Sequence, residues 1–396
     1  MFSGYRFLVT CHPENIEYIL KTNFDNFPKG ENFKEVFDIL GVGVFNVDSD
    51  TWRLQRKVIH TALISGEFKA LVANTNRFPS NEWADGSDGA HEAVFFRGVM
   101  PPFIWKLQRL LGIGKERAII KSQKIIDEKY GKAIVEKRDE FLAGGVLSDN
   151  FLSFYIKTLA VADESSIFSS LARIDNFLRD EMLNAFLAGR DTMKSALTWL
   201  FWLVSITPSV QAKISEELNS VLCSQKKGKE TTSTHTWPCV FDSDDLKDLV
   251  YLHAAICESL RLYPPLPVNR KSVVKKDVLP GGSVVTPGME ILLSFYSVGR
   301  MPWIWGEDCL EFKPQRWIDE NGKLIVVPTS KFPAFGSGAR SCLGRDTAFT
   351  QMKSVVAAVL FNFHVKVVEG HHVCPTQTPN LYMKHGLQVN IKKRTV

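Results

Sequence analysis

The ten residues Phe335-Gly336-Ser337-Gly338-Ala339-Arg340-Ser341-Cys342-Leu343-Gly344 constrain this chain more than any other stretch. Glycine at 338 and 344 lets the backbone turn tightly and approach a flat partner where a Cβ would collide. The run that follows, Arg345–Phe361, has the alanine content and apolar spacing of a helix. Cys342 is therefore presented just ahead of a helix N-terminus, where free N–H groups and the positive end of the dipole favour a thiolate. A lone cysteine is more often a small buried hydrophobe, so the rest of the chain has to decide.

A thiolate held in this way suits a haem iron, because a strongly donating axial sulfur favours O–O cleavage. Arg340, two residues before the cysteine, can pair with a haem propionate in bidentate fashion. Composition leaves room for such a cofactor. The 396 residues are 45% hydrophobic and 23% charged, which is globular and allows a large core. A net charge of +5 without any arginine- or lysine-dense block argues against nucleic acid, and a mildly basic face suits an acidic protein partner. The seven cysteines, at 11, 223, 239, 257, 309, 342 and 374, contain no C-x-x-C pair and are odd in number. They form neither a disulfide framework nor a zinc site, and point to a reducing compartment. No run reaches the ~18 apolar residues of a membrane-spanning helix.

Along the chain, Tyr5–Thr10 alternates like a strand and Pro13 opens a helix to about Lys21. Phe33, Val36, Phe37 and Leu40 give a short amphipathic helix, and Asp50 opens another on which Trp52 and Arg56 share a face. Residues 72–91 read as a polar, breaker-rich linker without periodicity. Long helices are expected over Lys115–Phe141, Asp149–Ala160 and within Ser165–Ser205. Thr207-Pro208 caps a helix to Leu222, a polar loop fills 223–242, and a helix runs from about Asp245 to the Pro264-Pro265 stop. Short strands are expected at Val284–Val285 and Ile291–Leu293.

Three further constellations carry chemistry. In Ala188-Gly189-Arg190-Asp191-Thr192 a mid-helix glycine costs about 1 kcal/mol relative to alanine. An open groove for dioxygen at Gly189 is one reason for it; Thr192 would then bond the distal oxygen and Asp191 relay protons. A close helix–helix contact is the plainer reason. Glu258 and Arg261 lie three apart on an apolar helix, so the pair is buried and needs further partners, which Arg316 can supply. Lys271, with Arg270 as an equal alternative, offers another cation. Gly41-Val42-Gly43 lacks the third glycine and the strand–helix setting of a dinucleotide site. The nine histidines show no metal-ligand spacing, and His371-His372 read as a surface loop.

W-x-x-x-R, A-G-x-D-T, E-x-x-R and F-x-x-G-x-R-x-C-x-G in this order resemble the signatures of the cytochrome P450 superfamily. The resemblance implies a mainly α fold with a small β-sheet region, a single haem domain over 1–396. It implies haem b bound through Cys342 as the metal ligand. Around it stand Phe335, Gly338, Arg340, Gly344, Trp52, Arg56, Lys271 and Gly189, with Asp191 and Thr192 catalytic. Gln315 departs from the glutamate usual beside the third member of the E-x-x-R triad. Asn26–Gly30, Trp105–Gly114 and Met383–Leu387 resemble the plant fatty-chain hydroxylase clan, nearest its alkane (midchain) hydroxylase branch. The implied activity is hydroxylation of long-chain alkanes or fatty acids, with electrons drawn from NADPH through a cytochrome P450 reductase. One implied alternative is oxidative phenol coupling in alkaloid biosynthesis; another is a truncated haem binder without activity. Thr378–Tyr382 is expected to project toward substrate. The family sits on the cytosolic face of the endoplasmic reticulum membrane through an anchor that this chain is expected to lack, leaving peripheral contact with the membrane surface. Core helices are expected to be missing near 72–91.

Overall fold

The computed structural model describes residues 6–64, 82–145, 152–153, 155–157, 175–226, 239, 241–242 and 244–394. Its axis is the central helix Asp175–Ile206, whose 32 residues span about 48 Å. The first half of this helix contributes Phe177, Leu178, Met182 and Leu183 to a core shared with Ile126, Tyr130 and Ile134 of the helix Glu116–Leu142. The second half contributes Ala196, Leu200 and Val204 to a larger core, shared with helices Pro208–Lys226, Val250–Leu262 and Arg345–Asn362. Val210, Ile214, Leu218 and Leu222 recur every four residues, so one stripe of Pro208–Lys226 faces that core.

Val250–Leu262 is buried almost all round, from Leu252 to Leu262 with only His253 part-exposed. Its first free N–H groups, of Tyr251 and Leu252, donate to the Glu217 carboxylate at 2.6 and 2.9 Å, a negative charge set at a helix N-terminus. An all-round apolar helix that carries a glutamate and an arginine must satisfy both. Arg261 grips Glu258 in a two-bond fork at 2.7 and 2.8 Å, and its remaining donors reach the carbonyls of Gly299, Cys309 and Glu311. Glu258 also accepts from Arg316, from the Lys313 backbone and from the Trp317 indole at 2.8 Å. The expected third member is thus in place. Gln315, where the triad's usual companion glutamate is absent, is exposed and donates to the Tyr251 hydroxyl, so the departure leaves the buried network untouched.

A three-stranded sheet lies at one edge, with Met289–Ser294 between Arg6–Thr10, parallel to it, and Val268–Ser272, antiparallel. Small two-stranded pieces, including Phe363–Val367 with Val389–Lys393, complete a mainly α-helical chain. Among the described residues, no helix is long and apolar enough to cross a membrane.

Several boundaries differ from expectation. The helix opened by Pro13 is α-helical only to Glu17 and widens into a π turn over Tyr18–Thr22, the segment on which the cysteine loop rests. The helix around Trp52 begins at Ser49. The linker expected over 72–91 is corrected in its second half: helix Glu82–Val99 covers 82–91, because tertiary packing overrides the weak propensity of its glycines. Residues 72–81 lie outside the described residues, as do 165–174 and most of 149–160. The helix from Pro208 continues to Lys226. The helix expected from Asp245 starts at Val250, since Asp242 and Asp245 bond nearby backbone N–H groups and hold a turn there.

Breaking a buried pair by removing one partner leaves a charge uncompensated. Arg261→Met should therefore lower stability by roughly 3–5 kcal/mol in urea unfolding. Lys247→Met, which removes an exposed pair with Asp244, should leave the urea midpoint unchanged.

Candidate active site

Two tight turns, Pro333–Phe335 and Gly338–Arg340, shape the cysteine loop, and the Cys342 N–H closes it on the Phe335 carbonyl at 2.7 Å. Gly336 and Gly338 have φ of 73° and 66°, where an L side chain is strained. A Cβ on Gly338 would sit 1.9 Å from the Leu20 carbonyl oxygen. The close approach that fixes Gly338 is therefore to the π turn beneath the loop, not to a flat cofactor as the sequence suggested. Gly344 is different: a Cβ there would meet only the Cys342 sulfur, at 4.0 Å, so its missing side chain keeps space beside the thiol. Beneath the loop Phe335 packs on Phe349, which stacks on His253 at 4.2 Å. Phe332 meets Trp317 edge to face, and this carries the Glu258 network to the base of the loop.

Cys342 is exposed to a cleft of about 510 Å³ lined also by Arg53, Arg56, Lys57, His60, Ser341 and Leu343. Desolvation raises the thiol pKa; the Gly344 N–H, Arg56 and Arg345 oppose it without reversing it. Position at a helix N-terminus alone thus does not make a thiolate here. A metal cation at the sulfur would.

The wall of the cleft is cationic. Trp52 is buried, with the guanidinium of Arg340 4.5 Å and that of Arg56 5.7 Å from its ring. Arg56 donates to the Ser341 carbonyl at 2.6 Å, tying the Trp52 helix to the cysteine loop. Arg340 bonds the Val47 carbonyl and the Asp48 carboxylate, while its Nε is buried without a partner. Asp48, which sequence reasoning missed, also accepts the backbone N–H groups of Lys29 and Gly30 at 3.0 Å each. No motif marks it; its role comes from a loop fold that brings 29, 48 and 340 together. The two candidates on Val268–Ser272 separate cleanly. Arg270 is engaged by Glu290, whereas the Lys271 ammonium is fully buried and has no hydrogen-bond partner, only the Phe24 ring at 5.1 Å. Burial and the neighbouring charges of Lys29 and Arg340 push Lys271 far below its ordinary pKa. Burial and the charges of Arg340 and Arg270 bring Lys29 to about 7, with Asp48 opposing. Burial and Arg56 bring Arg340 to about 10, again against Asp48. So much buried positive charge around one carboxylate fits a ligand with further carboxylates, and haem carries two.

On the central helix, Gly189 is exposed and a Cβ there would meet no protein atom within 4 Å. The open step is real, and a close helix–helix contact does not explain this glycine. Thr192 donates its hydroxyl to the Ala188 carbonyl at 2.7 Å, bridging that step. Asp191 is buried, with one oxygen on Arg190 at 3.0 Å. Met193 joins the core that holds Phe335 and Phe349, so the central helix and the cysteine loop share one packing unit. Gly41 and Gly43 owe their presence to this helix as well: a Cβ on either would strike Asp180 or Asn184, whose side chains bond the backbone of Val42 and Phe45. In the segment Thr378–Tyr382, Leu381 is buried and its carbonyl accepts from Ser195 and Trp199 at 2.7 and 2.6 Å. His371 bonds the Gly386 carbonyl. Among the described residues no group of histidine, cysteine and carboxylate side chains forms a metal site.

Gly338→Ala should destabilise the fold by more than about 1–2 kcal/mol, whereas Gly344→Ala should leave the thermal midpoint nearly unchanged. His253 supplies a pH test. Burial first, then Lys353 and Arg345, lower its pKa to about 4, below the unfolded value of about 6.5. The unfolded chain therefore binds the extra proton first, and stability falls as pH drops from about 6.5 toward 4, by at most about 3 kcal/mol. His253→Phe should flatten that part of the urea-midpoint profile.

The sequence model of the Cytochrome P450 family matches residues 88–392. Alkane hydroxylase MAH1 of Arabidopsis thaliana is 36% identical over 99% of this chain and 85% of its own length. Noroxomaritidine synthase 1 of Narcissus pseudonarcissus is 36% identical over 98% of this chain and 83% of its own. Cytochrome P450 86B1 of Arabidopsis thaliana is 35% identical over 100% of this chain and 78% of its own. The chain belongs to the cytochrome P450 family and is a monooxygenase of that family.

Proposed function

We propose that this chain hydroxylates C–H bonds of a long alkyl chain, an alkane or a fatty acid, with haem b that Cys342 would hold through its thiolate. The observation that carries the haem assignment is Lys271, a buried ammonium without a partner beside Arg340 and Lys29, Arg340 in turn sharing the Trp52 ring with Arg56 of the cleft that exposes Cys342. Lys271, Arg340 and Arg56 would hold the propionates, and Trp52 would order the two arginines. Bound haem would supply oxygen activation and C–H oxidation, fed with electrons from NADPH by a cytochrome P450 reductase at the endoplasmic reticulum. The chain's own residues do the rest. Gly189 leaves room for dioxygen. Thr192, its hydroxyl hydrogen committed to the Ala188 carbonyl, keeps its lone pairs free to accept, and Asp191 holds a carboxylate one residue away for proton supply. The side chains flanking that open step, Phe186, Leu187 and Met193, are apolar and partly buried, which suits an alkyl chain. Similarity to alkane hydroxylase MAH1 supports the same reading.

The equal similarity to noroxomaritidine synthases favours a second reading, oxidative coupling of phenols at the same iron. An internal deletion also fits, since an alignment of 445 positions over a chain of 396 residues requires gaps in this chain. The haem domain would then run over 1–396 without helices that its relatives have.

The reduced, carbon-monoxide-treated protein should show a strongly red-shifted Soret band, and Cys342→Ser should abolish it. Lys271→Met should weaken haem retention while leaving the chain folded. Absence of the red-shifted band in the unmodified chain would leave only the reading of a truncated chain without turnover. With the band present, spectral titration with an alkane or fatty acid against a phenolic amine decides between the two chemistries.

A further inference from the structure

Asp191 has one oxygen on Arg190, but its second oxygen, Oδ2, is buried and accepts no hydrogen bond. An unsatisfied oxygen on a buried carboxylate is costly, and the group facing it comes from another element. His91, on the helix Glu82–Val99, places Nε2 3.1 Å from Oδ2, too far off line for a hydrogen bond and well within ion-pair reach. The imidazole is itself largely buried, and its Nδ1 also has no partner. Its ring is braced edge-on by Tyr382 at 5.7 Å, and Tyr382 lies under the Lys194 ammonium. The helix that carries His91 is tied to its other neighbours by ion pairs. Arg97, six residues on, is buried and held by Glu116 and Asp38, and Glu92 pairs with Lys115.

We propose that His91 is a positioning residue for Asp191, through which the helix Glu82–Val99 sets the geometry of proton supply at Thr192. Either as a neutral N–H donor or as an imidazolium, Nε2 presents positive charge to Oδ2. Together with Arg190 it holds both carboxylate oxygens, from two different helices, one residue from Thr192. A small turn of the ring completes the hydrogen bond. Movement of Glu82–Val99 away from the central helix releases Oδ2. The position of Glu82–Val99, which packs on Glu116–Leu142 and meets the central helix through His91, is thereby coupled to the carboxylate that supplies protons. This rests on the proposed proton role of Asp191 and Thr192.

The test compares His91→Gln, His91→Lys and Asp191→Asn in the full chain, loaded with haem and supplied with a cytochrome P450 reductase and NADPH. The reduced carbon-monoxide spectrum of each variant serves as the check of folding. With palmitate as probe, the ratio of peroxide released to product formed should rise in Asp191→Asn and His91→Gln alike. The rise should be roughly tenfold, the effect of one charge-assisted contact, and His91→Lys should restore most of the loss. Where palmitate is not oxidised, peroxide per NADPH consumed is read in its place. A double-mutant cycle of His91→Gln with Asp191→Asn on urea unfolding of the same proteins should show non-additive stabilities. A rise in Asp191→Asn without one in His91→Gln, or an additive cycle, overturns the role of His91. No rise in Asp191→Asn overturns the underlying proton assignment instead.

Discussion

The arrangement on which the site depends is a surplus of buried positive charge. Lys29, Lys271, Arg56 and Arg340 converge from four separate segments, and one carboxylate, Asp48, stands among them. Like charges at close range in a poorly solvated site repel strongly, and the protein answers in part by weakening the protonated forms of Lys29, Lys271 and Arg340. Such a cluster is unfavourable for the chain alone and favourable for the chain with a dianionic ligand. Anything that binds the folded state and not the unfolded one stabilises it by mass action. On the proposed reading, haem is therefore part of what makes this wall of the fold affordable.

The opposite wall is stabilised without help. Glu258 has its charge met by Arg261 and Arg316 and its remaining capacity met by Trp317 and a backbone N–H. From Trp317 the contact passes to Phe332, and from there into the turn that carries Phe335. A fully satisfied network in a low-dielectric core is rigid. The loop that presents Cys342 is thus fixed from below by a completed network and faces, on its open side, an uncompleted one.

Much of this was legible in the sequence, and the reasons are local. The cysteine loop, the open step at Gly189 and the Glu258–Arg261 pair each lie within a few residues of one another, where spacing determines geometry. What spacing does not encode is which distant segment arrives opposite. Gly338 was readable as a constrained glycine, yet the atom that constrains it is the Leu20 carbonyl, more than three hundred positions earlier. Asp48 looks like any loop aspartate until Lys29, Gly30 and Arg340 meet on it. Lys271 and Arg270 were indistinguishable as neighbouring cations, and only strand pairing beside Met289–Ser294, with Glu290 at hand for Arg270, separates them. The helix over 82–91 was hidden for a related reason: its glycines and polar residues carry no helical period, and packing against Glu116–Leu142 supplies the order that propensity lacks.

The central helix is held at two places and left open between them. Its first half is clamped by polar side chains: Asp180 and Asn184 bond the loop containing Gly41 and Gly43, and Glu181 accepts from Tyr155 at 2.9 Å. Its second half is clamped by Ser195 and Trp199, both donating to the Leu381 carbonyl. Between the two clamps lies the step from Ala188 to Thr192, where Gly189 meets nothing and the Thr192 hydroxyl turns back on its own helix. On the proposed reading, a helix pinned at both ends and left open in the middle admits a small molecule there without moving as a whole. The packing that secures the helix is thus the same packing that keeps the open step in one place.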